Sequence, residues 1–361
     1  MKHKGEIKYL SIGIFQYHGP GYNYLIFMEN TQLEIPAKVC TIEAPCKINL
    51  HLSIGEKRPD GFHNLESIFA SLALSDSLRF ECTGKKADCH LFTEWDLPAH
   101  ERPERQIPPE DNLVFKAVSL FREQSGFKKG LKIRLIKRIP VGAGLGGGSS
   151  DAASALLALN SLAGAAEGGN EPALSMENLK EMAAILGSDV PFFLKGGAAY
   201  VSGRGEQVEL VKIPEGLWVI LVKPRFSSDT KSAFRLLDKA REAGIEDKPQ
   251  LRTEGRTQRN TEENHQKKLL INALNNNPQT WPFYNDFLAV LEPKSDYLAI
   301  LENLRKTGAS FTGLSGAGSC CFGIFSSKKE ARKAEKELLK KEIFTRLTFF
   351  LAQNAKPVLE Y

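Results

Sequence analysis

A run of five glycines within seven residues constrains the fold of this chain more than any other feature of its sequence. The run lies in Pro140-Val-Gly-Ala-Gly-Leu-Gly-Gly-Gly-Ser-Ser-Asp151, between an alternating strand pattern and an alanine-rich helical pattern. Glycine loses more conformational entropy on folding than other residues, so such a run indicates a sharp turn or a close approach to a ligand. The free amides and the dipole at a helix N-terminus favour an anion. The segment therefore predicts a phosphate-binding loop.

Three kinds of glycine-rich segment could give this pattern. The P-loop of nucleoside triphosphatases needs Gly-Lys-Ser/Thr, whereas Ser149 follows Gly148 here, so that loop is excluded. Gly142, Gly144 and Gly147 fit Gly-x-Gly-x-x-Gly, but a second strand with an acidic end does not follow, which disfavours a nicotinamide-dependent oxidoreductase. A flexible Gly/Ser linker is disfavoured because linkers do not usually lie between a patterned strand and a helix.

The composition favours an ordinary globular protein without a nucleic-acid or membrane partner. The chain has 361 residues, 42% hydrophobic and 25% charged, and its net charge is only +5. The basic residues of 328–341 alternate with glutamates, which is typical of a solvated helix face. Apolar runs stay well short of the ~20 residues that cross a bilayer. The six cysteines form no Cys-x-x-Cys pair and predict reduced thiols in a cytoplasmic protein.

Clusters of strand patterns and clusters of helix patterns succeed each other, which predicts an α+β fold of two domains. We interpret residues 1–38 as an N-terminal extension outside the main fold, either disordered or mis-started, with Met28 as an alternative start. Residues 39–212 would form the first domain, and residues 213–361 the second, with a polar insert at about 240–280. Apolar periodicity predicts helices over 112–124, 175–186 and 284–292, and the proline-bearing segment 84–110 reads as irregular.

Further segments accompany the glycine run in a recognisable order. They are Ala44-Pro-Cys-Lys-Ile-Asn-Leu50, Arg58-Pro-Asp-Gly-Phe-His63, Gly187-Ser-Asp-Val-Pro-Phe-Phe193 and Ser315-Gly-Ala-Gly-Ser319. With Pro140–Ser150, this set resembles the GHMP small-molecule kinases, named after galactokinase, homoserine kinase, mevalonate kinase and phosphomevalonate kinase. The resemblance implies an N-terminal domain like domain 2 of ribosomal protein S5 and a ferredoxin-like α/β C-terminal domain. The active site would lie in the cleft between these domains.

The resemblance also implies ATP as phosphate donor, accompanied by Mg²⁺, but it does not identify the metal ligands. The implied ATP-binding residues are Pro140, Val141, Gly142, Ala143, Gly144, Leu145, Gly146, Gly147, Gly148, Ser149 and Ser150.

The Asp-Gly-aromatic-His turn resembles the turn found in one branch of this family, whose members phosphorylate a hydroxyl of a small cytidine diphosphate compound. The alternatives are a kinase of homoserine or mevalonate type and a non-catalytic ligand sensor of the same fold. The sequence does not indicate the oligomeric state.

Two residues are predicted to carry the chemistry, because phosphoryl transfer needs aligned reactants, neutralised charge and a proton acceptor. The resemblance implies that Asp189 accepts the proton of the substrate hydroxyl and that Lys47 keeps this carboxylate ionised. Without this resemblance, we would interpret Asp189 as a residue that caps a turn and Lys47 as a solvent-exposed lysine on a strand. Asp151 is the alternative candidate for the base. A carboxylate in the first turn of a helix is favourable in any case, and this alone would explain an aspartate at position 151.

Three further residues are predicted to contact the acceptor substrate. Phe62 would stack on a pyrimidine, and the imidazole of His63 would form a hydrogen bond with the edge of the base. The family usually has tyrosine where this chain has Phe62, so stacking is retained and a hydroxyl contact is lost. Asn49 is expected to contact the substrate from the first strand. For Gly316 and Gly318, a position beside the phosphates and a simple core turn are both open.

Overall fold

The structure, a computed structural model, describes residues 14–19, 22–27, 39–86, 88–103, 107–166, 171–244, 259–339 and 344–360. The chain divides into two compact units, residues 1–37 and 38–361. In the first unit, strands β1 (Ile14–Gly19) and β2 (Tyr22–Phe27) pair antiparallel. Our interpretation of residues 1–38 as an extension stays a prediction.

The second unit is built on a seven-stranded sheet. Its strands are β3 (Val39–Lys57), β4 (His63–Lys86), β5 (Cys89–Trp95), β6 (Lys129–Lys137), β7 (Ala198–Ser202), β8 (Gln207–Val211) and β13 (Val358–Glu360). The order is β13-β3-β4-β6-β5, and β7 and β8 extend from the other part of β4. All pairs are antiparallel except β5 with β6. Register shifts in the long β3 bend it, as β-bulges do.

In the described part of the chain, four α-helices lie between β5 and β7 in sequence and pack against this sheet. They are α1 (Leu113–Ser125), α2 (Gly147–Ala166), α3 (Met176–Leu186) and the single turn α4 (Val190–Phe193). The side chain of Asn112 caps α1 by accepting a hydrogen bond from the Val114 amide, and Gly126 ends it with a φ of 71°. The helices and the sheet share a core that includes Phe80, Phe121 and Leu156. This packing fixes the start of α2, and with it the glycine run.

A second, four-stranded antiparallel sheet has the order β10 (Phe311–Leu314), β11 (Cys321–Phe325), β9 (Trp218–Lys223) and β12 (Phe344–Phe349). Its helices are α5 (Thr230–Glu242), α6 (Arg259–Leu274), α7 (Lys294–Lys306) and α8 (Lys328–Leu339). Ile48 and Leu50 of β3 belong to one core cluster with Leu221 and Phe322 of this sheet. The two sheets thus share a core, and β13 returns the end of the chain to β3.

The mixture of helices and strands agrees with the predicted α+β class, and the helices at 112–124 and 175–186 are confirmed. The helix predicted over 284–292 is wrong, because only a 3₁₀ turn forms at Asp286–Ala289. There the Asn285 side chain accepts from Phe287 and donates to two carbonyls of the 314–316 segment. Segment 84–110 is less irregular than predicted, since β5 pairs with β6. The domain boundary near residue 212 stays a prediction.

The predicted polar insert at 240–280 lies partly outside the described residues, which lack 245–258. Its later part forms the helix α6. All six cysteines are free thiols, as the sequence predicts. Across the described parts of the chain, no helix has the length and apolar character needed to cross a membrane.

Candidate active site

One cavity of about 810 Å³ brings together most of the predicted site residues. Lys47, Asn49 and Asp189 line it, together with residues 140–149 of the glycine loop. Ser150, Phe62 and His63 are not among its lining residues. Segments that are distant in the sequence therefore meet around one space, as the predicted chemistry requires.

Two glycines of the loop lie so close to neighbouring atoms that no side chain would fit at their positions. Gly144 has a φ of 72°, and a Cβ there would lie 2.1 Å from the carbonyl oxygen of Ser315. Gly146 has a φ of 69°, and a Cβ would lie 2.9 Å from Cζ of Phe193. A side chain at either position would combine an unfavourable backbone conformation with a steric overlap. Both glycines are therefore dictated by the local geometry.

The second glycine segment, 315–319, packs directly on this loop. The Ser315 hydroxyl donates to the carbonyl of Gly144 at 2.9 Å, and the Cys320 amide donates to the carbonyl of Ala143 at 3.1 Å. Gly316 lines the cavity, whereas Gly318 does not. Gly316 therefore lies both in a packed turn and at the cavity, so a core turn and a position beside the phosphates do not exclude each other.

Lys47 and Asp189 form an ion pair inside the cavity. Lys47 Nζ lies 3.3 Å from Asp189 Oδ2, and the two side chains are 4% and 31% exposed. Lys47 comes from β3, and its amide donates to the carbonyl of Leu145 at 2.9 Å, which ties the strand to the glycine loop. Asp189 immediately precedes α4. A nearly buried cation beside an accessible carboxylate is an arrangement in which the carboxylate can reach a substrate.

Two neighbours of Lys47 fix its ammonium group. Asn49 Oδ1 accepts a hydrogen bond from Lys47 Nζ at 2.6 Å, and Asn49 Nδ2 donates to Ser67 at 3.0 Å. The ring of Phe69 lies under the same ammonium, 4.5 Å from its centroid, as in a cation–π contact. The sequence reasoning missed Ser67 and Phe69, which β4 contributes. Asn49 also lines the cavity. Its contact with the substrate stays a prediction.

Phe62 and His63 lie at the turn between β3 and β4. Phe62 is 51% exposed, and the Arg204 guanidinium lies 5.1 Å from the centroid of its ring. His63 is buried, with Nε2 2.8 Å from Oδ1 of Asp238. Its ring stacks on Phe234, at 5.0 Å between centroids, and Phe234 lines the cavity. The predicted roles of Phe62 and His63 stay predictions, and the structure adds Phe234 and Asp238 beside them.

Asp151, the rival base, lies in a buried charge cluster. Helix α2 begins at Gly147, so Asp151 lies beyond the first turn and the expectation of a first-turn charge is wrong. Its Oδ2 accepts a hydrogen bond from Lys137 Nζ at 2.6 Å, and Lys137 also binds Asp76. Burial raises the pKa of Asp151 to about 8, against the opposing charge of Lys137. Burial lowers the pKa of Lys137, but the two carboxylates outweigh it and raise that pKa overall.

We expect this cluster to make the protein less stable as the pH rises from about 4 to about 8. Asp151 keeps its proton in the folded state up to about pH 8, whereas an unfolded aspartate loses it near pH 4. The folded state therefore binds more protons in this window, and stability falls by up to about 1.4 kcal/mol per pH unit. Asp151→Asn should remove this contribution, which urea unfolding midpoints between pH 5 and 9 would measure.

The matched control for this prediction is Glu181→Gln, which removes an exposed carboxylate from α3. It should leave the pH dependence of the wild-type protein unchanged. If Asp151→Asn also leaves it unchanged, Asp151 is ionised at neutral pH and the prediction is wrong.

Comparison with known protein families adds two matches. The family model described as "GHMP kinases N terminal domain" matches residues 112–197, and the family model described as "GHMP kinases C terminal" matches residues 263–343. The first range contains the glycine loop and Asp189, and the second contains the 315–319 segment. The same family that the motifs resemble therefore matches on both sides of the site.

Two curated relatives match nearly their whole length. The 4-diphosphocytidyl-2-C-methyl-D-erythritol kinase of Thermodesulfovibrio yellowstonii is 36% identical over 297 residues, which cover 82% of this chain and 93% of the relative. The enzyme of the same name from Treponema pallidum is 33% identical over 304 residues, which cover 83% of this chain and 95% of the relative.

Solved structures give the same picture. A crystal structure of 4-(cytidine 5'-diphospho)-2C-methyl-D-erythritol kinase matches with a TM-score of 0.61 at 27% identity, covering 86% of this chain and 98% of that one. The mevalonate kinase of L. major matches with a TM-score of 0.60 at 16% identity, covering 88% of this chain and 96% of that one. The second likeness shows a shared fold.

Proposed function

The chain belongs to the 4-diphosphocytidyl-2-C-methyl-D-erythritol kinases of the GHMP kinase family, and on this premise we propose how it acts. It phosphorylates the 2-hydroxyl of 4-diphosphocytidyl-2-C-methyl-D-erythritol with ATP, a step of the methylerythritol phosphate route to isopentenyl diphosphate. The observation that carries this function is the ion pair of Lys47 with the accessible Asp189, in the cavity that the glycine loop borders.

The glycine loop is the proposed site of the ATP phosphates. Helix α2 begins at Gly147, so the amides of Gly147, Gly148 and Ser149 have no partner within the helix. These donors and the helix dipole favour a phosphate group. We assign the remaining loop residues and the hydroxyls of Ser149 and Ser150 to the same nucleotide.

Asp189 is the proposed base, and Lys47 its charged partner. As the 2-hydroxyl attacks the γ-phosphorus of ATP, the O–P bond to the leaving ADP breaks and the hydroxyl proton passes to the Asp189 carboxylate. The Lys47 ammonium, 3.3 Å away, pairs with the carboxylate before transfer and stabilises the negative charge that develops on the attacking oxygen.

Mg²⁺ is proposed as part of the nucleotide substrate, which kinases use as the magnesium complex. Mg²⁺ is usually held by substrate phosphates, water and only one or two carboxylates. Among the described residues, no group of three His, Cys, Asp or Glu side chains is placed to hold a metal ion. We also propose a cytoplasmic location, in keeping with the six free thiols, and a single small-molecule acceptor as partner.

One assay tests the acceptor. Purified protein with Mg-ATP receives 4-diphosphocytidyl-2-C-methyl-D-erythritol, homoserine or mevalonate in parallel, and ADP release is measured. We expect ADP with the first acceptor only. ADP with homoserine or mevalonate alone would assign the protein to that other type of kinase. No ADP with any acceptor would favour a ligand sensor with the kinase fold.

A further inference from the structure

Helix α5 presents three residues on one face toward the acceptor side of the site. Thr230, Phe234 and Asp238 are spaced by four residues, so they lie in a row along the helix. Thr230 and Phe234 line the cavity, and Asp238 lies one turn further along. The row therefore leads from the cavity to Asp238.

The helix is held against the end of β3 by hydrogen bonds. The guanidinium of Arg241 donates to the carbonyl of Ile54 at 2.6 Å and to the carbonyl of Gly55 at 2.7 Å. Those residues precede the turn that carries Phe62 and His63. The position of Asp238 relative to His63 is thus fixed by contacts other than their own.

Asp238 and Phe234 hold the imidazole of His63 from two directions. His63 Nε2 lies 2.8 Å from Asp238 Oδ1, and the two side chains are 5% and 22% exposed. Phe234 stacks on the ring, with an interplanar angle of 20°. The other carboxylate oxygen of Asp238 lies 3.4 Å from Nζ of the exposed Lys57. The shorter of these two contacts of Asp238 is therefore the one to the imidazole.

The chemistry of this contact selects one tautomer of the ring. An ionised carboxylate can only accept hydrogen bonds, so Nε2 must carry the proton that it donates. In the neutral ring, Nδ1 is then an acceptor. Within the described residues, no hydrogen bond is made to Nδ1 of His63, so this nitrogen stays available to a donor on a ligand.

We propose that Asp238 is a positioning residue of the acceptor site: it fixes the orientation of His63 and holds it as the tautomer protonated on Nε2. This inference rests on the proposed function and deepens it, since His63 is the residue predicted to meet the pyrimidine. Asp238 acts through His63 on the cytidine end of the substrate. It does not contact the glycine loop or the pair of Lys47 and Asp189.

Steady-state kinetics of Asp238→Ala and Asp238→Asn test the proposal. We expect KM for the cytidine acceptor to rise about 10-fold, the lower end of the cost of removing a carboxylate that orients a metal-bound imidazole, while KM for ATP and kcat stay near wild type. Glu242→Gln, an exposed carboxylate on the same helix, and Lys57→Ala should change neither KM. An unchanged acceptor KM in Asp238→Ala would overturn the proposal.

A second measurement needs no turnover. The ring ¹⁵N shifts of His63, identified by their loss in His63→Gln, report its tautomer in the protein without substrate. We expect the Nε2-protonated form in the wild type and a mixture of forms in Asp238→Ala. The same tautomer in both would overturn the proposal. If the wild type releases no ADP with the cytidine acceptor, the proposed function fails, while the tautomer result still decides the role of Asp238.

Discussion

Asp189→Asn should lower kcat by about 10²–10⁴-fold and leave KM for ATP close to the wild-type value. The amide cannot take the proton of the substrate hydroxyl, and general-base catalysis typically contributes a factor of this size. Stability should change little, because the Asp189 side chain is 31% exposed, and the Lys47 ammonium, which loses its charged partner, still donates to Asn49. ADP release with Mg-ATP and the cytidine acceptor measures the effect, and circular dichroism checks the fold.

The matched control is Asp151→Asn, which replaces a buried carboxyl by a group of the same shape. Because burial keeps Asp151 protonated to about pH 8, a neutral amide resembles its form at pH 7, and most of the turnover should remain. If Asp151→Asn abolishes turnover and Asp189→Asn does not, the assignment of the base is wrong.

The glycine loop could be predicted from the sequence because its constraint is local. A strand pattern, a glycine run and a helix pattern lie side by side in the chain, and the free helix amides follow from that order. The pair of Lys47 and Asp189 is different. The two residues lie far apart in the sequence, and only the resemblance to a known family joined them before the structure gave the distance of 3.3 Å.

The neighbours of Lys47 could not be predicted, because they depend on strand register. Asn49 on β3 lies opposite Phe69 on β4, and register shifts interrupt the pairing of these strands on both sides. No local pattern specifies such a pairing. Strand β5 was missed for a similar reason, since its parallel pairing with β6 is a tertiary contact that no local pattern specifies.

The buried charge cluster has a signal in the sequence of β6. Leu131, Ile133 and Leu135 alternate on the buried face of β6, and the same period of two places Lys137 on that face. A lysine in phase with a buried face needs a counter-charge. Finding Asp76 and Asp151 as its partners still required the structure, because they come from β4 and α2.

Lys137→Met should lower the free energy of unfolding by about 3–5 kcal/mol, the cost of removing one partner from a buried ion pair. Lys137 is buried, and its ammonium binds both Asp76 and Asp151. Methionine fills similar space but leaves the Asp76 carboxylate without a cation. The lost ammonium also lies beside the start of α2, since a Cβ at Gly147 would be 3.4 Å from Lys137 Nζ. Urea unfolding at pH 7 measures the loss of stability.

Arg134→Met on the same strand is the control, because Arg134 pairs with Glu94 at the surface. Exposed pairs contribute little, so the unfolding midpoint should stay near the wild-type value. Adding Asp76→Asn to Lys137→Met should restore part of the stability, since it removes the carboxylate left without a cation. Equal midpoints for Lys137→Met and Arg134→Met would show that the cluster is not what holds the start of α2 against the sheet.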